Sequence, residues 1–322
     1  MIKKEIVMGF DTSNYTTSVA LMNMDGTSLA SKRVLLSTPK GQRGLRQSDA
    51  FFQHVNVLPE IMQELKPSLK NTIVKAIGAS VVPRPVTGSY MPVFLAGESI
   101  ARSMSSLLGV PFYSFSHQEG HIAAGLWSAN LDYADFFCSL HLSGGTTELL
   151  EVTPGRNAGY NIDILGNTND ISVGQLIDRV GVSLNCDFPS GPQLEKLALE
   201  WTDSLIPIPG GVKGLELNLS GPETFLHRMV DESENTSRLA HSMFVFLGEA
   251  IALWLNNHHA LKPIPMLLIV GGVAANSIFR ETLTNKVNPE IKLIYADPQH
   301  CSDNALGISH LALRQFLYNK DE

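Results

Sequence analysis

The sequence is short of charge. Asp, Glu, Lys and Arg make up only 17% of its 322 residues, against roughly 25% in an average soluble protein. That composition excludes a disordered tail protein, a coiled coil and a collagen-like repeat. Positive charge is the scarcer sign: 24 Lys and Arg face 31 Asp and Glu, for a formal charge of −7. A wholesale cationic wrapper of nucleic acid is excluded, whereas a local basic patch is not. Long apolar runs are missing too, although mean hydropathy is +0.05. The longest, Met266 to Ala275, is broken by Gly271 and Gly272, far short of the ~20 residues a spanning helix needs. Cysteine is sparse, odd in number and scattered at Cys138, Cys186 and Cys301. This argues against a disulfide scaffold and suits a reducing compartment. The opening Met-Ile-Lys-Lys-Glu-Ile lacks the apolar core of a secretory leader. A cytoplasmic chain without membrane association is therefore expected. What is present is 44% hydrophobic residues, over a length that suits about two lobes with a sizeable core.

The order of segments points to an α/β fold. Ile6–Phe10 reads as a buried strand ended by the polar turn Asp11-Thr12-Ser13-Asn14, and Thr16–Met22 reads as a second strand closed by Asp25-Gly26. Ser48–Leu65 has helical spacing with Pro59 as a kink or boundary. Val74–Val82 reads as a strand, and Gly88–Leu108 as a helix after Pro83-Arg84-Pro85. A second half then opens in the same way: Phe136–Leu142, the turn Ser143-Gly144-Gly145-Thr146-Thr147, and a return strand Glu148–Val152. Both run strand, small polar turn, Thr-Thr, strand, with Thr16-Thr17 in the first and Thr146-Thr147 in the second. An interval of about 130 residues is too long for a solenoid and suits a duplicated domain; the alternative is coincidence between two hairpins. Later, Met266–Val270 delivers Gly271-Gly272 ahead of a helix from Ile278 to Val287. Such a turn brings backbone N–H groups close to a ligand. Two hairpin turns and this turn, in this order, fit the actin, heat-shock-protein and sugar-kinase architecture, in which two lobes clamp a nucleotide.

The sharpest local signal is Ser116-His-Gln-Glu-Gly-His121. Ser116 and Glu119 make a capping box, so a helix starts there. His117 and His121 then share one face. They are either a metal-binding pair or two lightly buried histidines. The metallopeptidase motif needs Glu directly after the first His. Here Gln118 stands there, and Glu119 lies about 200° round the helix from His117.

Several motifs together resemble one family. His117-Gln-Glu-Gly-His121, Leu142-Ser-Gly-Gly-Thr-Thr147, Ile164-Leu-Gly-Asn-Thr-Asn-Asp170, Gly174-Gln-Leu-Ile-Asp178, Pro189-Ser-Gly-Pro192, Val270-Gly-Gly-Val-Ala-Ala-Asn276 and Cys301-Ser-Asp-Asn304 occur in the order of the TsaD family of tRNA threonylcarbamoyladenosine transferases. The resemblance runs from Phe10 to about Ala312. It implies a two-lobed ATP-clamp of duplicated ribonuclease-H-like domains. Residues 1–115 would form the first lobe, with a helix at about 303–322 packing back on it, and 116–302 the second. It implies transfer of a threonylcarbamoyl group from its adenylate to the adenosine 3′ of the tRNA anticodon, with release of AMP. By motif, His117, His121 and Asp303 resemble the ligands of one divalent metal, iron or zinc, with His141 in place of a metal-binding tyrosine. Leu142, Ser143, Gly144 and Gly145 resemble the turn that meets the phosphate and acyl groups. Asp178 and Gly191, with Glu195 nearby, resemble ribose contacts, and Asn276 after Gly271 and Gly272 resembles the adenine contact. The implied partners are tRNA and TsaB-like and TsaE-like proteins.

The chain also departs from the family pattern. Gln175 replaces a usual Glu, Thr146 a usual His or Asn, and Glu223 a usual Lys; Pro83-Arg-Pro replaces a Gly-Pro-Gly loop. These changes describe a divergent paralog. The second reading is a non-catalytic relative that binds metal and nucleotide and scaffolds a complex. An exposed apolar helical face with a blocked cleft would favour it. Lys32, Arg33, Lys40, Arg43 and Arg46 form a basic stretch, either a phosphate contact or a solvated loop. His54 is either near the cleft or on a helix surface.

Overall fold

The computed structural model describes residues 3–38, 44–131, 135–155, 159–232, 235–297 and 305–321. The first half comprises β1 (Lys4–Thr12), β2 (Thr16–Asn23), β3 (Ser28–Leu35), α1 (Gln47–Leu65), β4 (Thr72–Val82), α2 (Phe94–Leu108) and β5 (Phe112–Ser116). Its strands form one sheet in the order β3-β2-β1-β4-β5. β1, β2 and β3 are antiparallel, and β1, β4 and β5 are parallel. β1 is buried continuously from Ile6 to Thr12, as befits a central strand covered on both faces. Its residues alternate: Ile6, Met8 and Phe10 pack in a cluster with Leu58 and Ile61 of α1, while Val7 belongs to the larger core beneath the other face.

The second half comprises α3 (His117–Ser128), β6 (Phe137–Leu142), β7 (Thr147–Pro154), β8 (Tyr160–Asn167), α4 (Val173–Ser183), α5 (Gly191–Ala198), β9 (Gly211–Lys213), β10 (Glu216–Asn218), α6 (Ser220–Glu232), α7 (Thr236–Leu261), β11 (Met266–Val270), α8 (Ser277–Lys286), β12 (Lys292–Tyr295) and α9 (Leu306–Asp321). Its main sheet runs β8-β7-β6-β11-β12. β6, β7 and β8 are antiparallel, and β6, β11 and β12 are parallel. Strand order and direction repeat those of the first sheet, so the two hairpins open a duplicated unit. α3 contacts β4, β5 and β11, and α9 contacts β1, β4 and α3. These two helices therefore join the sheets.

Local details differ from the sequence reading for physical reasons. α1 runs unbroken through Pro59, because its buried residues Ala50, His54, Leu58, Ile61 and Leu65 repeat every three or four positions and hold one apolar face on the sheet. His54 belongs to that buried face and is not on the surface. α2 starts at Phe94 rather than Gly88; Gly88 has φ +82°, and Pro92 disfavours helical backbone at Met91. α7 is long and apolar enough to span a bilayer by length and composition, yet 67% of its apolar window is buried inside the protein. It is the core helix of the second half.

Candidate functional site

The turns after β1 and β6 line one cavity of about 490 Å³, with Ser13–Thr16 on one wall, Ser143–Thr146 on another, and Gly272, Val273, Ala275 and Asn276 beside them. Gly271 is the hinge of the late turn. Its φ is +97°, and a Cβ there would strike the backbone of Leu142, so only glycine permits β11 to lie this close to β6. Gly271 and Leu142 are not among the lining residues; Leu142 is fully buried, and the pair shapes the cavity from behind. Gly174 plays the same part at the start of α4, where a Cβ would collide with Ser143 and Gly144. Gly145 has open space beside it.

The histidines gather at one end. Ser116 caps α3 with both arms of the capping box formed. His117 and His121 then place their Nε2 atoms 3.1 Å apart. The His121 and His141 rings lie 4.6 Å centroid to centroid, and all three histidines line the cavity. Asp11, 1% exposed, accepts from His117 Nδ1 at 2.9 Å and from the Ser80 hydroxyl. A carboxylate on Nδ1 fixes the tautomer that leaves Nε2 to bind a metal. Two imidazole nitrogens on one tetrahedral ion stand about 3.3 Å apart, close to the observed spacing, so this pair fits a transition metal. Among the described residues no three His, Cys, Asp or Glu side chains are arranged to hold an ion. Asp303 and Cys301 lie outside the described residues. Glu119 is spent elsewhere: its carboxylate accepts from Ser116 N and Oγ and from Tyr160 N, so it does not serve the pair as the base of a zinc peptidase.

Asp178, on α4, lines the same cavity. Its Oδ1 accepts from Ser190 N at 2.8 Å, and its Oδ2 points toward Gly144. Burial pushes its carboxyl up to about 6 against the lowering pull of that one bond. Arg179, next in sequence, turns away to Glu223 at 3.1 and 3.3 Å. Gly191, Glu195 and Asn276 line the cavity as well. Glu195 caps α8 by accepting from Ser277 N and Oγ, and Asn276 Oδ1 accepts from Phe279 N. The carboxylate of Glu195 and that side-chain oxygen thus serve the fold first; the Asn276 amide NH2 group is the part left for a ligand.

Sequence reasoning missed two groups. One is Arg84 on the first-half wall, with its partners Glu148 and Gln118 in the second half. The other is the aromatic contact between Tyr15 and Phe188, 5.5 Å between ring centroids, which joins the two halves across the cavity mouth.

The family model described as TsaD, tRNA N6-adenosine threonylcarbamoyltransferase, matches residues 38–310. The chain belongs to the TsaD family. A tRNA N6-adenosine threonylcarbamoyltransferase of Gluconobacter oxydans is 29% identical over 96% of this chain and 87% of its own. A probable bifunctional tRNA threonylcarbamoyladenosine biosynthesis protein of Thermoplasma acidophilum is 28% identical over 97% of this chain; the chain spans only 56% of that protein's length. Among solved structures, the activator of 2-hydroxyisocaproyl-CoA dehydratase from Clostridium difficile with bound ADPNP superposes with TM-score 0.54 over 98% of this chain and 96% of its own at 13% identity. Component A of (R)-2-hydroxyglutaryl-CoA dehydratase from Acidaminococcus fermentans does so with TM-score 0.57 over 97% and 99%, also at 13%. These likenesses bear on the fold alone, and they agree with the two-lobed architecture of two like sheets described above.

Within the TsaD frame the departures have local explanations. Gln175 is the third residue of α4, and its N–H donates to the Ser172 cap, a position that suits Gln as well as Glu. Thr146 N–H donates to Ser143 Oγ and closes the turn. Glu223 pairs with Arg179 and stands 3.6 Å from His227 Nε2, away from the cavity lining. Of the basic stretch, Lys32 pairs with Glu64, Arg46 precedes α1, and Lys40 and Arg43 lie outside the described residues.

Proposed function

We propose that this chain transfers a threonylcarbamoyl group from its adenylate to the N6 amino group of the adenosine 3′ of the tRNA anticodon. The C–N bond to N6 forms, the bond between the carbamoyl carbon and the phosphate oxygen breaks, AMP leaves with that electron pair, and the N6 proton passes to solvent. The observation that carries the reading is the shared cavity: the Asp11-backed histidine pair and Asp178, with one oxygen toward Gly144, line the same space. That lining suits a ligand with a nucleoside part and a reacting acyl part. The Asp178 carboxylate accepts from the ribose diol. The Asn276 amide and the Gly272–Ala275 turn flank the base. Gly144 and Gly145 offer N–H groups to the phosphate, where charge builds as AMP leaves. His117 and His121 would hold a divalent metal, with Asp11 orienting His117, and the metal when bound would supply Lewis-acid polarisation of the phosphate and carbamoyl oxygens.

The rival reading is a non-catalytic relative that binds metal and nucleotide and scaffolds a complex, with a blocked cleft and an exposed apolar helical face. The first half does carry an exposed apolar face on α1, at Phe51, Phe52 and Val55, but the cavity is open, which favours a ligand-binding enzyme. Purified chain, metal and threonylcarbamoyl adenylate should release AMP faster with unmodified tRNA than with modified tRNA. AMP release blind to the state of the tRNA would remove tRNA as the acceptor.

A further inference from the structure

Arg84 occupies the loop between β4 and α2, on the first-half wall of the cavity beside Pro83, His117 and Gln118. Its guanidinium reaches across to the second half and pairs with Glu148 Oε1 at 2.5 Å. The partners differ sharply in exposure: 39% for the Arg84 side chain and 4% for that of Glu148. Glu148 Oε2 accepts from Gln118 Nε2 at 3.0 Å, so both Glu148 oxygens are engaged by cavity-wall residues. The loop itself is pinned. Gln118 N–H donates to Pro83 O, and Arg84 N–H donates to Ser89 Oγ. Burial raises the Glu148 carboxyl above its ordinary range, with Arg84 and Gln118 pulling it back. A buried carboxylate is costly unless it is paired and hydrogen-bonded, and Arg84 and Gln118 engage both Glu148 oxygens.

Glu148 stands directly opposite His141 in the β6–β7 register. Directly paired residues of an antiparallel sheet project from the same face. Arg84 is therefore anchored next to the histidines, through Glu148 opposite His141 and Gln118 beside His117. A guanidinium offers five N–H donors in a planar fork. Glu148 is held by one edge of it, and the exposed remainder faces the cavity. A threonylcarbamoyl group carries its free carboxylate on the side of the carbamoyl carbon away from the nucleotide. We infer that Arg84, oriented by Glu148 and Gln118, binds the carboxylate of the acyl group and so selects an amino-acid-derived substrate. This rests on the proposed transfer reaction.

Binding is measured for AMP, for a stable sulfamate analogue of threonylcarbamoyl adenylate, and for the same analogue with a carboxamide in place of the carboxylate. The wild type should prefer the carboxylate analogue by about 10- to 100-fold, the range expected for hydrogen bonds to a charged group. Arg84→Gln should erase that preference and leave AMP affinity unchanged, while Arg84→Lys keeps part of it. Arg84→Gln leaves Glu148 unpaired, so Arg84→Gln/Glu148→Gln is measured alongside; if only the double variant retains AMP binding, the comparison is read there. A carboxylate preference that persists without Arg84, or an equal loss for all three ligands, overturns the inference and leaves the transfer reading standing. A wild type that binds AMP but neither analogue more tightly overturns both.

Discussion

Asp11 Oδ1 lies 2.9 Å from His117 Nδ1, and this one bond ties the first hairpin turn to the helix that opens the second half. Asp11 is buried, and the interaction spans 106 residues of sequence. It brings a carboxylate behind an imidazole whose other nitrogen faces His121.

Asp11→Asn preserves size while removing the charge behind the imidazole. Its affinity for zinc, measured by competition with a chromophoric chelator, should fall about 10- to 100-fold, as for other carboxylates behind a metal-bound histidine. His121→Ala should abolish stoichiometric binding. Unchanged affinity in Asp11→Asn would make the bond a purely structural link.

Asp178 gives a prediction of opposite sign for stability and for binding. Its carboxyl is raised to about 6 from an ordinary 3.8. A raised carboxyl favours the fold below about pH 4, and that contribution is lost as pH rises through 6. The loss is at most about 3 kcal/mol. Asp178→Asn should therefore melt higher than wild type at pH 7.5, with the gap closing toward pH 4. Calorimetric titration should show weaker AMP binding by the same variant, and weaker binding by the wild type at pH 5 than at pH 7.5. A variant that melts lower at pH 7.5 and binds AMP normally would make Asp178 a structural acid.

The hairpins, the capping box at Ser116 and the Gly-Gly turn were legible because each is encoded within a few consecutive residues. So was the grouping of His117, His121, His141, Asp178 and Asn276, through the order of motifs. Three features were not. For His54 the choice between cleft and helix surface stayed open, because helical spacing alone does not say which polar residue falls on the buried face; its bond to Ser13 O, beside the cavity, settles it. The start of α2 shifted because Gly88 and Pro92 act on the backbone before any apolar pattern does. The pairing of Arg84 with Glu148 joins separate halves of the chain, and nothing local to either residue announces it; the one available hint was a charged residue in a loop where glycine is usual.

His54 is held by two polar contacts: Nδ1 to Thr17 Oγ1 and Nε2 to Ser13 O, each 2.7 Å. A carbonyl can only accept, so Nε2 carries the proton and Nδ1 accepts from the threonine hydroxyl. Burial lowers the imidazole below its ordinary range. A lowered histidine stabilises the fold fully above about pH 6.5, and that contribution is lost as pH falls through its folded value. His54→Phe leaves Thr17 Oγ1 and Ser13 O without this partner, at a cost of about 1–3 kcal/mol each. Its melting temperature should be lower at pH 7.5, and the difference should shrink toward pH 5. A pH-independent difference would mean that His54 contributes only packing.

The central claim is that the cavity carries threonylcarbamoyl transfer to tRNA. The direct measurement is mass spectrometry of nucleosides from initially unmodified tRNA incubated with threonylcarbamoyl adenylate, a divalent metal and the purified chain, with and without TsaB-like and TsaE-like proteins. Threonylcarbamoyladenosine should form with the wild type, and should be sharply reduced with His121→Ala and with Asp178→Asn. No modified nucleoside in any combination, from a chain that still binds AMP, would contradict it.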